Sequence, residues 1–203
     1  MKARTGLPAG RQARIIRKTK ETQIDLTLNL DGTGKYKVQT EIPFLNHMLE
    51  AFAKHGHFDL IVKGKGDTHI DDHHLTEDLG IALGEAIAKA LGDKKGIVRY
   101  GNFYLPMDET LSYVALDLCN RPYFVWKVKW GQTQIGKFDG QLIEHFFESV
   151  ANNARMNLHM SLKYGKLPHH ISEALFKGFA RALAQAVSRD PRVKGIPSTK
   201  GAL

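Results

Sequence analysis

Six histidines and two glutamates recur in a pattern suited to holding metal ions. His73-His74-x-x-Glu77 and His169-His170-x-x-Glu173 each set an imidazole and a carboxylate four residues apart, with a further imidazole beside the first. On a helix, positions i and i+4 overlie one another while i and i+1 diverge by about 100°. His73 with Glu77, and His169 with Glu173, can therefore chelate one cation apiece, and His74 and His170 point towards different sites. Each cluster has an upstream imidazole at a nearly equal separation, His47 for the first and His145 for the second. Beyond the glutamates the register persists, with Leu79 opposite Leu175, Ala86 opposite Ala182 and Ile87 opposite Leu183. A lone His-His pair is a surface or capping feature; two in register, each with its glutamate, point to ligation.

Eight ligands are most economically spent on two metal ions with three His and one Glu each. The repeat suggests a swap: His73, Glu77, His145 and His170 at one ion, and His169, Glu173, His74 and His47 at its twin. The swap needs side chains to reach across from the other half, in the same subunit or a neighbour. Imidazole and carboxylate together suit Zn, Fe, Mn, Co or Ni. The single cysteine, Cys119, leaves no Cys-based zinc site and suits a reducing compartment. Four protein ligands leave two positions open on an octahedral ion, which is a catalytic arrangement. His69, Asp67, Asp71, Asp72 and Asp78 surround the first cluster as capping residues or as carboxylates that orient a ligating imidazole.

These side chains need a scaffold, and its elements are legible. Ile24, Leu26, Leu28 and Leu30 alternate in a strand over residues 22–30, Asp31-Gly32-Thr33-Gly34 reads as a hairpin turn, and residues 36–42 as the returning strand. Helical spacing follows over 44–55, strand over 58–64 and helix over 76–91. Strands are expected at 97–105, 111–118, 123–130 and 156–164, and helices at 141–154 and 171–187. The fold class is thus α/β, in two-layer α+β form. It is a tandem duplication of a half-domain of roughly 90 residues, each a small mixed β-sheet backed by two α-helices, with the halves related by a pseudo-two-fold. The boundaries are a flexible basic tail at 1–10, half-domains at 11–98 and 99–190, and a substrate-binding tail at 191–203.

The 203 residues are 42% hydrophobic and 25% charged, which excludes wholesale disorder. Mean hydropathy is -0.31, and no apolar run reaches the roughly 20 residues of a membrane helix. Lysine and arginine number 29 against 21 acids, a net charge of +8, which predicts an anionic ligand such as a phosphorylated metabolite. The first twenty residues carry basic but no acidic side chains. They lack a secretory signal's apolar segment and read as a tail leading into the first strand, not a cleaved address.

Further motifs occur in order. They are Arg17-x-Thr19-x-Glu21-Thr22, Phe44-Leu45-x-His47-Met48-Leu49, Gly66-Asp67-x-x-Ile70-Asp71 before the first cluster, and Arg99-Tyr100-Gly101 with Pro106-Met107-Asp108-Glu109. Glu144-His145-Phe146-Phe147, Ala174-x-Phe176-Lys177 and Pro197-Ser198-Thr199-Lys200-Gly201 complete the set. Over about residues 11–203 the sequence resembles the imidazoleglycerol-phosphate dehydratase family of histidine biosynthesis. The resemblance implies a cytoplasmic hydro-lyase converting D-erythro-imidazole glycerol phosphate to imidazole acetol phosphate. It implies two manganese ions per subunit held by His47, His73, His74, Glu77, His145, His169, His170 and Glu173, in a 24-subunit homo-oligomer with sites at subunit contacts. It makes Glu21 the acid/base residue, and Arg99, Arg121, Lys177, Ser198, Thr199 and Lys200 phosphate contacts. His55 lines the ring pocket or caps its helix. The chain departs from the family's pattern at Leu167-Pro168, Cys119-Asn120 and Thr40-Glu41, without losing a ligand.

The implied chemistry fits the residues. The departing hydroxyl sits beside the azole ring, and the proton to be lost is not acidified by a carbonyl. Holding the ring between two cations favours imidazolate, whose electrons can expel hydroxide to leave a diazafulvene-like intermediate, from which a base removes the neighbouring proton. Two other readings compete. A dinuclear metal hydrolase would use the same ligands with Glu21 as base, and a basic nucleic-acid-binding module would use the net charge. The second leaves the duplicated ligands unexplained and shows no aromatic-interleaved binding motif.

Overall fold

The computed structural model describes residues 10–203. The tail expected over 1–10 therefore lies, apart from Gly10, outside the described residues. The first half runs β1 (Gln12–Lys18), β2 (Gln23–Asn29), β3 (Tyr36–Gln39), α1 (Pro43–Gly56), β4 (Asp59–Lys65) and α2 (His73–Leu91). The second runs β5 (Tyr100–Met107), β6 (Thr110–Asp117), β7 (Tyr123–Lys127), a two-stranded ribbon of β8 (Gln134–Ile135) and β9 (Phe138–Asp139), α3 (Leu142–Ala154), β10 (Asn157–Tyr164) and α4 (Pro168–Val187).

Both halves share one topology. The sheets are ordered β1-β2-β4-β3 and β5-β6-β10-β7. In each, a hairpin opens the sheet, and a strand–helix–strand crossover adds a parallel pair, β3 with β4 and β7 with β10. A parallel pair needs such a crossover; α1 and α3 supply it. The expected duplication of a mixed sheet with two helices is what the chain forms.

One face of each sheet is apolar. Ile24, Leu26 and Leu28 of β2 and Leu60 and Val62 of β4 are buried, as are Val114, Leu158 and Met160 of the second sheet. Against these faces lie α1 and α2 on one side and α3 and α4 on the other. The helices also pair across the duplication, α1 with α4 and α2 with α3, so they form the layer between the two sheets. Phe52, Phe58, Phe146, Phe147, Phe176 and Phe179 fill that layer.

Three expectations need correction. The Asp31-Gly32 turn does not return β3 alongside β2, because β4 lies between them. Gly32 is required for another reason: a Cβ there would sit 2.2 Å from the backbone nitrogen of Asp59. The hairpin actually used is β1–β2, and β1 was not anticipated. Its consecutive isoleucines, Ile15 half-buried and Ile16 exposed, blur the alternation, and its basic side chains line a sheet edge, where charge discourages further pairing. Finally, α2 begins at His73 and α4 at Pro168, so both His-His pairs fall within the first helical turn. The β8–β9 ribbon was not anticipated either.

The α2–α3 contact is close because Gly80 and Gly84 present no side chain. A Cβ on Gly80 would lie 2.6 Å from the carbonyl oxygen of Phe146, and one on Gly84 2.7 Å from that of Val150. Gly84→Ala forces backbone atoms apart in a packed layer. It is expected to cost about 1–3 kcal/mol, read as a lower urea midpoint at unchanged slope.

Candidate metal centre

The cross-halves pairing of helices decides which ligands meet. Gly80 lets α3 approach α2 beside Phe146, the neighbour of His145, and Glu77 stands one turn earlier on α2. His73 and His145 accordingly lie 4.5 Å apart between ring centroids, tilted 34° to one another. Their Nε2 atoms lie 4.0 and 3.6 Å from Glu77 Oε2. The α1–α4 pair repeats this, with His47 and His169 presenting Nε2 to Glu173 Oε1 at 3.3 and 3.0 Å. In each triad the three ligand atoms lie within 4.8 Å of one another.

The two fourth ligands of the expected swap, His170 and His74, stand apart within the chain. His74 donates from Nδ1 to Asp67 Oδ2 at 2.9 Å and lies 3.9 Å from Glu21 Oε2. His170 donates from Nδ1 to Glu109 Oε2 at 2.7 Å and lies 3.8 Å from Asp108. Each imidazole thus has its Nδ1 held by a carboxylate and its Nε2 turned elsewhere, the arrangement in which ligating imidazoles are oriented. Of the carboxylates around the first cluster, Asp67 is therefore the orienting one. Asp71, two residues before α2, accepts the His73 N–H at 2.8 Å. Buried Asp78 ties α2 to the β1–β2 turn through Arg17 at 2.7 Å and through the Thr22 hydroxyl. Thr19 Oγ1 accepts the N–H groups of Glu21 and Thr22 in that turn. Glu21 is thereby carried on a hairpin pinned next to Glu77.

The two triads are not equivalent electrostatically. Glu173 is buried and Lys177, one turn on, pairs with its second oxygen. Burial alone would raise the Glu173 pKa, but Lys177 and the two imidazoles outweigh it and bring it to about 2. The position equivalent to Lys177 in the first repeat is Ile81, so Glu77 has no such neighbour. His55 lies in the last turn of α1, and desolvation and then the Lys177 ammonium lower its pKa. It does not end the helix; His57 does, at a left-handed φ of 58°.

The expected phosphate contacts form two groups within the chain. Lys177 stands at the second triad. Arg99 is buried at the far end of α4, its N–H bonded to Ala186 O. Nine residues of helix put it about 13 Å from Lys177. The Arg99 guanidinium binds Asp117 with two nitrogens at 2.7 and 3.0 Å, and the carbonyl of Pro197 with the third at 2.8 Å. It therefore anchors the segment carrying Ser198, Thr199 and Lys200. Arg121 is exposed. Glu109, given no role from sequence, emerges as the partner of His170, and no spacing rule links positions 109 and 170.

The donor set fits a divalent cation. His145 Nε2 is buried without a hydrogen-bond partner among the described residues, an arrangement that a metal bond would satisfy. Imidazole nitrogen with carboxylate oxygen is a borderline-soft set that binds first-row divalent ions.

Comparison with known proteins agrees with this architecture. The family profile described as imidazoleglycerol-phosphate dehydratase matches residues 40–183. The imidazoleglycerol-phosphate dehydratases of Geobacillus kaustophilus and Bacillus pumilus are 56% and 55% identical over 193 residues, covering 95% of this chain and 99% and 100% of theirs. The crystal structure of the Staphylococcus aureus dehydratase superposes with a TM-score of 0.80 at 38% identity, covering 88% of this chain and 99% of that one. That of the Pyrococcus furiosus protein gives 0.79 at 34% identity, covering 93% and 100%. The family profile and these relatives together define a hydro-lyase. The chain belongs to the imidazoleglycerol-phosphate dehydratase family and serves histidine biosynthesis.

Hydrogen bonds from the Leu167 N–H and then from His170, the Lys166 N–H and Thr110 hold the Glu109 carboxyl well below the usual carboxylate range. Glu109 in turn raises the pKa of His170. The lowered carboxyl stabilises the fold above an ordinary value of about 4.3, and the raised imidazole does so below about 6.5. That stability is lost as pH rises through the elevated His170 value, or falls through the depressed Glu109 value. In metal-free protein, Glu109→Gln should lower the melting temperature at both about pH 5.5 and about pH 8.5, and more at the lower pH, where the charged His170 adds to the bonds from Leu167, Lys166 and Thr110. Proton NMR should show His170 titrating closer to its ordinary value in the variant.

Proposed function

We propose that the chain dehydrates D-erythro-imidazole glycerol phosphate to imidazole acetol phosphate in the cytoplasm, as a manganese-dependent homo-oligomer. Two manganese ions per subunit would be held by His47, His73, His74, Glu77, His145, His169, His170 and Glu173. The observation that carries this reading is the convergence of three ligand atoms at each of two equivalent places, with His145 Nε2 buried and unpartnered among the described residues. His74 and His170 stand outside the triads of their own chain, which supports completion of each site by a neighbouring copy. A 24-subunit shell, with sites at subunit contacts, is the assembly we infer.

Manganese, when bound, supplies Lewis acidity that draws electron density from the azole ring, so that the C–O bond next to the ring can break. The remaining work falls to the protein. Glu21, exposed on its pinned hairpin near His74, takes the proton from the carbon next to the one that loses hydroxide, and the proton and hydroxide leave as water. The resulting enol becomes the ketone by proton return to carbon. Arg121, Ser198, Thr199 and Lys200, in the corner anchored by Arg99, bind the phosphate together with Lys177. Since Lys177 lies at the other end of α4 from that corner, one phosphate draws on two copies of the chain.

Elemental analysis should find about two ions per chain in the native protein and about one in Glu77→Gln, with chelation reducing the particle to a smaller oligomer. One particle mass with and without chelator, or no bound metal, would sink the reading. Glu21→Gln removes the base and leaves the ligands in place. It should lower kcat about 10²–10⁴-fold at unchanged metal content; loss of metal in this variant would instead make Glu21 a ligand.

A further inference from the structure

Lys94 belongs to none of the groups above, yet it is almost fully buried and adopts a positive φ of 60°. Both conditions disfavour lysine. Burial strips hydration from the ammonium, and left-handed backbone crowds Cβ. Desolvation accordingly lowers its pKa. The side chain rises from the loop between α2 and β5. Its Nζ donates to the carbonyl of Leu118 at 3.2 Å and to Asn120 Oδ1 at 2.6 Å, two neutral acceptors.

Those acceptors bracket a turn to which the phosphate-binding elements are tied. Asn120 also has a positive φ, 61°. Its carbonyl accepts from the Arg155 guanidinium at 3.1 Å, and its amide donates to the main-chain oxygen of Leu203 at 3.0 Å. The next residue is Arg121, whose carbonyl is held by Asn157 Nδ2 at 2.7 Å. On the other side, Leu118 N donates to the carbonyl of Arg99 at 3.2 Å, and the Arg99 side chain holds Pro197. One buried ammonium therefore joins the Arg99 strand start, the turn bearing Arg121 and, through Asn120, the 197–203 segment.

We propose that Lys94 is a positioning residue for phosphate recognition: it locks the 118–121 turn and the 197–203 segment so that Arg121, Ser198 and Lys200 meet the phosphate as one preformed grip. The proposal rests on the assignment of those three residues to phosphate made above. An ammonium suits the task because its donors can serve two oxygens at once. Ordering the grip before binding removes a conformational cost that substrate would otherwise bear.

The test uses the full-length, manganese-loaded protein with Lys94→Met and Asn120→Gly. The glycine keeps the positive φ while removing both side-chain bonds, so it carries the test where Lys94→Met fails to assemble. Each variant should raise KM for substrate, and the inhibition constant of inorganic phosphate, roughly tenfold with kcat within about twofold, the signature of lost uniform binding. Arg121→Ala is measured alongside. Wild-type KM in the assembled variants, with a raised KM in Arg121→Ala, would overturn the role of Lys94. A fall in kcat matching the rise in KM would also overturn it, as a merely structural effect. An unchanged KM in Arg121→Ala would remove the phosphate assignment, and the proposal with it.

Discussion

The close approach of helices from opposite halves is the constraint on which the site depends. Neither half can assemble a triad alone, since His73 and Glu77 are on α2 while His145 is on α3, and His169 and Glu173 are on α4 while His47 is on α1. Gly80 and Gly84 remove the side chains that would keep α2 and α3 apart, and backbone contact there sets how closely Glu77 and His73 on α2 approach His145 on α3. The apolar layer between the sheets and the ligand sets are therefore one construction. A change in helix packing is a change in donor geometry.

Around this frame the charged groups act in a consistent order. Carboxylates outside the proposed ligand set hold groups inside the proposed site: Asp67 and Glu109 grip the Nδ1 atoms of His74 and His170, and Asp78 grips the hairpin bearing Glu21. Burial or convergent hydrogen bonding fixes these carboxylates, so each imidazole is committed to one ring face and one free nitrogen. Among the basic residues, Arg99 braces the 197–203 corner and Lys177 faces a buried glutamate.

Much of this was legible in the sequence because it is local. The i,i+4 spacing of His73 with Glu77 and of His169 with Glu173 is a geometric statement about one helix, and the repeat then named His145 and His47 as partners. What escaped was non-local or ambiguous. Asp31-Gly32 has a tight turn's composition, yet its glycine answers to Asp59, far along the chain. Ile15-Ile16 conceals the alternation of β1. Glu109 meets His170, and Lys94 meets Asn120, only because the sheet brings them together, and no periodicity encodes either pairing. The position of His74 and His170 away from the triads agrees with their one-step rotation round the helix, which was legible, as was Asp67 as a carboxylate that could orient an imidazole; Glu109 was not.

Lys177 and its counterpart Ile81 break the symmetry of the duplication. Where the second half sets an ammonium against its glutamate, the first sets an isoleucine that offers no charge. An incoming divalent ion would meet a ready carboxylate on one side and, on the other, a resident cation it must displace. If both triads hold ions as proposed, Glu173 would serve as a ligand only once Lys177 moves aside, a step the first triad does not require.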